Sequence, residues 1–436
     1  MMDSRLLREV VLDQRDQFRS QPPHVIEREQ LEALAGFVRS PHAVVISGVR
    51  RGGKSTLLRQ IARRYYPDAA HCCLSFEDER LLHFSAADFD SLLGVFAELG
   101  GDTSVFFLDE VQVVDGWERF VRRTVDRGTK FYLTGSNASL LSREIGSRLT
   151  GRHLTIELFP FSFRECLEFA SFHFDPERLH QVEYRGKLKG QFHEYLRSGG
   201  MPEYVRFGER EILRSIYADI LYRDIVARHR LGDVRMLREV AYYLLSNLGN
   251  LASFNKVKGL VKAGSVNTVI RYAEYLADSY LVFTVNKLAW SVKEQLIAPK
   301  KVYCVDNGIC DVVGFRFSAN EGRFLENAVY LALRRTGREV FYYVAAKGRE
   351  VDFVVRDGAR VVGLYQVCYD LTDPDTKQRE VTALTAAMAE LDLDESFLLT
   401  YDDEETVRVD SKTIHVLPVY KWLLLEGQPP AAGAKP

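Results

Sequence analysis

A chain of 436 residues, 46% apolar and 27% charged, has the composition of a globular protein and is too long for one ordinary core; about three domains are expected. A formal net charge of −2 excludes a general attraction to nucleic acid, so any such affinity must come from a local patch. No stretch approaches the ~20 apolar residues of a membrane span. The six scattered cysteines (Cys72, Cys73, Cys166, Cys304, Cys310, Cys368) lack C-x-x-C or zinc-like spacing, which fits reduced thiols and a cytoplasmic location.

The first segment reads as a charged amphipathic helix, with Leu6, Leu7, Val10, Val11 and Leu12 among Arg, Asp and Glu, and without the apolar centre of a signal peptide. From about 40 to 160, the short apolar runs Ala43–Ser47, Cys72–Phe76, Ser104–Leu108, Lys130–Thr134 and His153–Leu158 alternate with helical patterns. That alternation predicts an α/β domain with a mostly parallel sheet. The first run leads into Gly48-Val49-Arg50-Arg51-Gly52-Gly53-Lys54-Ser55-Thr56, which fits G-x-x-x-x-G-K-[ST] position by position. Gly48 and Gly53 are expected to turn the backbone so that N–H groups point at phosphates. Lys54 would reach the β- and γ-phosphates, Ser55 would offer its hydroxyl to Mg²⁺, and the helix N-terminus adds a favourable dipole. Gly48, Arg51, Gly52, Gly53, Lys54, Ser55 and Thr56 are therefore the expected nucleotide-binding set, with ATP and Mg²⁺ as cofactors. No base-reading residue separates ATP from GTP.

The run Val105-Phe106-Phe107-Leu108 delivers Asp109 and Glu110 at the C-terminal edge of a buried strand, where α/β sheets place ligands. Asp109 would hold the Mg²⁺ shell and Glu110 would orient or deprotonate the attacking water. The next run ends in Gly135-Ser136-Asn137, a polar turn that can sit between the two nucleotide elements or be an ordinary turn. Beyond it, Arg148 and Arg152 can reach a neighbouring subunit's γ-phosphate, or simply be solvated.

The ordered set Gly48–Thr56, Leu108-Asp109-Glu110-Val111-Gln112, Leu133-Thr134-Gly135-Ser136-Asn137, Leu149-Thr150-Gly151-Arg152 and Ser198-Gly199-Gly200-Met201-Pro202 resembles prokaryotic AAA+-related ATPases that join an N-terminal P-loop domain to a C-terminal domain of unknown function. The resemblance covers roughly residues 20 to 425. It implies Walker A at Gly48–Ser55, Walker B at Asp109 and Glu110, a sensor-like Asn137, and Arg152 as arginine finger with Arg148 as substitute. A homo-oligomer, hexameric by family expectation, follows if the finger acts between subunits. No second sensor arginine is evident.

From about 160 to 300 the pattern is largely helical. A helix from Ser253 should bury Val257, Leu260 and Val261; a second, from Ser265, should bury Val266, Val269, Ile270, Ala273 and Leu276. Asn267, Thr268, Arg271 and Tyr275 would then face outward. A β-like run Tyr280–Leu288, a lysine-bearing loop (Lys293, Lys300, Lys301) and the run Val302–Val305 complete a winged-helix pattern. Residues 206–301 hold 16 Lys and Arg against 9 Asp and Glu, a local charge of +7 against −9 for the remainder. Asn267, Thr268, Arg271, Lys293 and Lys300 are accordingly candidate DNA contacts. Winged-helix modules also serve as protein adaptors, so a protein partner stands beside DNA.

The last third returns to strands: Val340–Ala345, Glu350–Val355, Arg360–Val367, Phe397–Thr400 and Ile414–Pro418. With Glu326 on a helical pattern and Asp352 on a strand, it resembles the PD-(D/E)XK nuclease fold, which uses a helix acid, a strand Asp and then E-x-K around Mg²⁺. Here the E-x-K slot reads Gln366-Val367-Cys368. Gln is a weak Mg²⁺ ligand and Cys cannot replace an ammonium, so Glu326, Asp352, Gln366 and Cys368 form a degenerate centre, and a grip is expected in place of cutting. Asp370 or Glu350 could compensate.

The expected architecture is a P-loop ATPase core at 1–160, a helical lid at 161–205, a basic winged helix at 206–305, a nuclease-like α/β domain at 306–426 and a flexible tail at 427–436. The expected function is an AAA+ ATPase that acts on DNA and touches no membrane. The alternatives are a nucleotide-gated switch that binds a protein partner, and an ATP-dependent nuclease of genome defence.

Overall fold

Val44, Val45 and Ile46 are β-branched and fully buried, and they form the inner part of β1 (Ala43–Gly48). A run buried on both faces belongs inside a parallel sheet covered by helices. In this computed structural model, which describes residues 2–20, 24–67, 72–100, 104–138, 151–314 and 321–425, that is its position. β1 pairs in parallel with β4 (Lys130–Gly135) and β5 (His153–Leu158), and β3 (Val105–Asp109) joins β4 to β2 (Cys72–Ser75). The strand order is β2-β3-β4-β1-β5.

Alternate side chains along each strand feed two cores. On one face Val45, Phe106, Leu108, Phe131 and Leu133 pack with Leu7, Val10 and Val11 of the N-terminal helix Ser4–Arg19. On the other, Val44, Ile46, Phe107 and Tyr132 pack with Leu57, Leu58 and Ile61 of the helix Lys54–Tyr65. Each such side chain, fully buried, contributes about 1.5–3 kcal/mol. These elements lie in one compact unit, Met1–Phe159 with Asp278–Tyr280; the second comprises Pro160–Ala277 and Leu281–Ala432.

The second unit opens with helices, including Phe163–Phe169 and Val182–Ser198, and contains an eight-residue π-helix, Ile220–Ala227, which no periodicity argument anticipated. The helix Val234–Ser246, β6 (Leu251–Ala252), the helices Phe254–Leu260 and Val266–Asp278, β7 (Val282–Val285) and β8 (Lys300–Cys304) follow. The three strands form an antiparallel sheet in the order β6-β8-β7. Two expectations fail here. Leu260 is 64% exposed, because its helix ends there and its inward face is carried by Val257. The lysine-bearing loop is instead the short helix Val292–Ile297 followed directly by β8, so Lys300 and Lys301 are strand residues.

The C-terminal sheet has six strands: β9 (Glu339–Ala345), β10 (Arg349–Asp357), β11 (Arg360–Val367), β12 (Glu395–Thr400), β13 (Glu405–Val409) and β14 (Lys412–Pro418). Their order is β13-β14-β12-β11-β10-β9. Val381, Leu384, Ala387 and Met388 of the helix Pro374–Glu390 cover one face. β13 was not expected from the sequence. Its residues are largely exposed, so it shows no apolar run and is held as an edge strand by its ladder to β14.

A buried amide fastens this unit internally. Asn327, on the helix Glu321–Arg335, is 0% exposed. Its Oδ1 accepts from the Cys304 N–H at 2.8 Å, and its Nδ2 donates to the Cys304 carbonyl at 3.0 Å and to Asn307 Oδ1 at 2.8 Å. Asn327→Leu keeps the volume but leaves those groups unpaired, so thermal or urea unfolding should show a loss of about 2–4 kcal/mol.

Candidate functional site

β4 lies between β1 and β3, so the C-terminal ends of the three strands bring Gly48, Asp109 and the Gly135-Ser136-Asn137 turn to one edge. After β1 the chain turns through Arg51 (φ +59°) and Gly53 (φ +97°) before the helix begins at Lys54. Gly53 lies in the left-handed region, which lets the backbone turn at this point. Gly48 is required for another reason: a Cβ there would lie 2.1 Å from the Leu158 carbonyl oxygen of β5. Arg28, 2% exposed, braces the loop by donating to the Gly52 carbonyl at 3.0 Å and the Phe159 carbonyl at 2.7 Å. It is a functional candidate that the motif did not reveal.

Lys54 is buried, and its ammonium donates to the carbonyls of Gly48 (3.2 Å) and Val49 (3.1 Å) while lying 3.5 Å from Glu110 Oε1. Ser55 Oγ donates to Asp109 Oδ2 at 2.7 Å. Thr134 on β4 serves both acids: its hydroxyl donates to Asp109 Oδ1 and accepts the Glu110 N–H at 2.9 Å. Glu110 is held at φ +50°, a left-handed conformation unusual for a non-glycine residue. Burial would raise its pKa, but Lys54, the Gln112 amide, Arg50 and Ser136 outweigh that and hold it below the usual carboxylate value. Asp109 shifts upward, pushed by burial and by the Glu110 charge. Asn137 is buried, 1% exposed, just past β4. Thr56 stands on the first turn of the Lys54–Tyr65 helix. A hydroxyl paired with a carboxylate, beside a lysine, is a donor set that fits a phosphate-bound divalent cation.

The remaining candidates fall elsewhere. Arg152 opens β5, its carbonyl accepting the Ala43 N–H, so it stands at the sheet edge opposite its own Gly48 loop. Its guanidinium pairs with Asp126 at 2.9 Å. It therefore cannot reach the nucleotide site of its own chain. Arg148 and the tail 427–436 lie outside the described residues. Asn267, Arg271 and Lys293 are exposed and Thr268 half-buried, while Tyr275 is stacked on His229 with centroids 3.7 Å apart. Lys300 is half-buried on β8 and donates to Asn286, with burial lowering its pKa. Lys301 is buried, 1% exposed, and paired with Glu326 and Asp352. Gln366 bonds to the backbone of Asp352, whereas Cys368 Sγ donates to the Asp370 carbonyl at 3.2 Å. The exposed Asp370 accepts from the Thr372 N–H at 2.7 Å, and Glu350 joins Lys301 at 2.9 Å.

A family profile for an AAA domain matches residues 40–167, and profiles for two domains of unknown function, DUF8612 and DUF4143, match 189–318 and 321–422. An uncharacterized protein of Methanocaldococcus jannaschii is 34% identical over 97% of this chain and 96% of its own length. The chain belongs to this family of AAA+-related ATPases with a C-terminal DUF4143 domain. An uncharacterized protein of Haemophilus influenzae is 28% identical, covering 92% of this chain and 99% of that one. Among solved structures, a STAND-class signal-transduction ATPase with a tetratricopeptide-repeat sensor from Pyrococcus horikoshii aligns at 13% identity and a TM-score of 0.28, over 72% of this chain and 46% of that one. The family profile identifies residues 40–167 as an AAA domain, which supports ATPase activity. No helix among the described residues is long and apolar enough to cross a membrane.

Thr134→Val removes the hydroxyl that orients both acids and leaves the Glu110 N–H unpaired. ATP turnover should fall about 10- to 100-fold, equivalent to about 1.4–2.8 kcal/mol. Calorimetric nucleotide affinity should change by less than about threefold, because no phosphate-facing group is touched.

Proposed function

We propose that the chain is a Mg²⁺-dependent ATPase that couples nucleotide turnover to a grip on DNA. The observation that carries the catalytic part is the contiguity of Lys54, Ser55, Asp109, Glu110 and Thr134 at one sheet edge. Lys54 and the loop N–H groups hold the β- and γ-phosphates. Ser55 and Asp109 would hold Mg²⁺, which would supply charge neutralisation at the phosphate oxygens. Water attacks the γ-phosphorus, the bond to the β–γ bridging oxygen breaks, and Glu110 orients the water and accepts its proton. Asn137, beside the attack site, fixes the γ-phosphate position. Lys54 Nζ lies 3.5 Å from Glu110 Oε1, so phosphates bound to that ammonium would compete with the carboxylate for it.

For the DNA part, the helix Val266–Asp278 presents Asn267 and Arg271, and the short helix Val292–Ile297 presents Lys293, in a winged-helix arrangement with β6, β7 and β8. None of the ion pairs among the described residues involves Arg271, Lys256, Lys258, Lys262 or Lys293, which leaves these cations available to phosphates. Arg152 acts in trans within a ring, hexameric by family expectation. One feature favours a second reading, a switch that binds a protein: Trp290, Val292, Leu296 and Ile297, at the tip of this module, are 71–83% exposed.

Turnover measured with duplex, single-stranded and branched DNA should rise with at least one of them. Glu110→Gln should lose at least about 100-fold in turnover while retaining ATP, and Arg271→Ala/Lys293→Ala should lose the stimulation with unchanged basal rate. Indifference to all three DNAs, with no DNA binding by ATP-locked Glu110→Gln, would leave the protein-binding switch. In a second experiment, Arg152→Ala mixed with Lys54→Ala should regain activity above either variant alone, since mixed neighbours rebuild complete sites.

A further inference from the structure

In the C-terminal part of the chain, three carboxylates from two elements converge on one nitrogen. Lys301 Nζ lies 2.7 Å from Asp352 Oδ1, 2.9 Å from Glu350 Oε1 and 3.2 Å from Glu326 Oε1, and its side chain is 2% exposed. The Lys301 ammonium and Asp352 are buried, while the Glu350 carboxylate is half-exposed. The Tyr303 hydroxyl donates to Glu326 Oε1 at 2.7 Å, and the Val367 N–H donates to Asp352 Oδ2 at 2.9 Å. The chain passes so close at Gly249 that a Cβ there would lie 2.6 Å from Glu326 Oε2.

The nuclease resemblance would place Mg²⁺ among these acids, and the residues present do not fit it. The acid of E-x-K is Gln366, whose Oε1 accepts the Asp352 N–H at 3.0 Å and whose Nε2 donates to the buried Glu380 at 2.8 Å. Its lysine position is Cys368, engaged with Asp370. The convergent oxygens stand at N–H···O distances, 2.7–3.2 Å, whereas Mg²⁺ requires oxygens at roughly 2.0–2.1 Å. Among the described residues, no group of three or more His, Cys, Asp or Glu side chains is arranged to hold a metal ion.

We infer that Lys301 is the resident cation of this centre, in place of a divalent metal, and that the centre is an ion-paired joint between the three-stranded and six-stranded sheets. Lys301 belongs to β8, the middle strand of the smaller sheet; Glu350 and Asp352 belong to β10. Backbone bonds continue the joint, with the Leu288 N–H donating to the Tyr342 carbonyl at 2.7 Å and the Tyr342 N–H to the Asn286 carbonyl at 3.0 Å. A lysine of the basic segment 206–301 thus closes a nuclease-like centre from within.

The test uses the full chain without nucleotide. Mn²⁺ binding is measured by calorimetry on wild type and Asp352→Asn, supercoiled-DNA cleavage is assayed in Mn²⁺ for both, and thermal unfolding is followed for Lys301→Met and Lys301→Met/Asp352→Asn. Equal Mn²⁺ stoichiometry in wild type and Asp352→Asn is expected, with no Asp352-dependent cleavage. Lys301→Met should lower the unfolding temperature by at least about 5 °C, because three acids lose their counter-ion, and adding Asp352→Asn should recover part of the loss. Should Lys301→Met not fold, the wild-type and Asp352→Asn comparison still decides. A Mn²⁺ ion lost on Asp352→Asn, cleavage that depends on Asp352, or a Lys301→Met protein as stable as wild type would overturn the inference. None of these outcomes depends on whether the ATPase acts on DNA.

Discussion

The insertion of β4 between β1 and β3 governs the nucleotide site, because it separates the glycine loop from the paired acids by one strand and puts Thr134 between them. One hydroxyl then ties Asp109 to the Glu110 backbone, and Ser55 closes the link from the helix side. Were β1 and β3 adjacent, this strand-borne hydroxyl would have no place between them. Phe106, Phe107, Phe131 and Tyr132, stacked across the β3–β4 pair, fix that spacing with apolar contacts that water does not compete for.

A different economy operates at the Lys301 cluster. Desolvating Lys301, Glu326 and Asp352 is unfavourable, and a well-packed apolar joint could be as stable. What the charges provide is directional: an ammonium meets three acceptors only in one relative placement of β8, β10 and the helix Glu321–Arg335. Burial and the Asp352 charge push the Glu326 carboxyl above its usual value, against Lys301 and the Tyr303 hydroxyl, which favour its charged form.

The parallel sheet was legible in the sequence because buried β-branched and aromatic runs alternate with helical periods, and because the glycine loop and Asp109-Glu110 are contiguous motifs. Arg28, Thr134 and Lys301 were not. Each acts through a partner distant in the chain (Gly52, Asp109 and Asp352 respectively), and a lysine among basic neighbours carries no local sign that it is buried. Leu260 and β13 fail for the opposite reason, since exposure at a helix end or a sheet edge breaks the apolar rhythm that periodicity reads. Gly48 was singled out for the correct element, but its cause, the Leu158 carbonyl, lies about a hundred residues away.

The backbone of Glu110 sits in the left-handed region, where a side chain costs on the order of 1 kcal/mol that glycine or asparagine would largely avoid. This position is thus less stable for carrying a glutamate than it would be without one. Drift toward greater stability would replace the carboxylate with a residue that relaxes the backbone and leaves the loop intact; with Glu110 in its proposed role, such a chain would hold nucleotide without consuming it. The local strain that holds Glu110 in place makes its loss the easier state for this position to fall into.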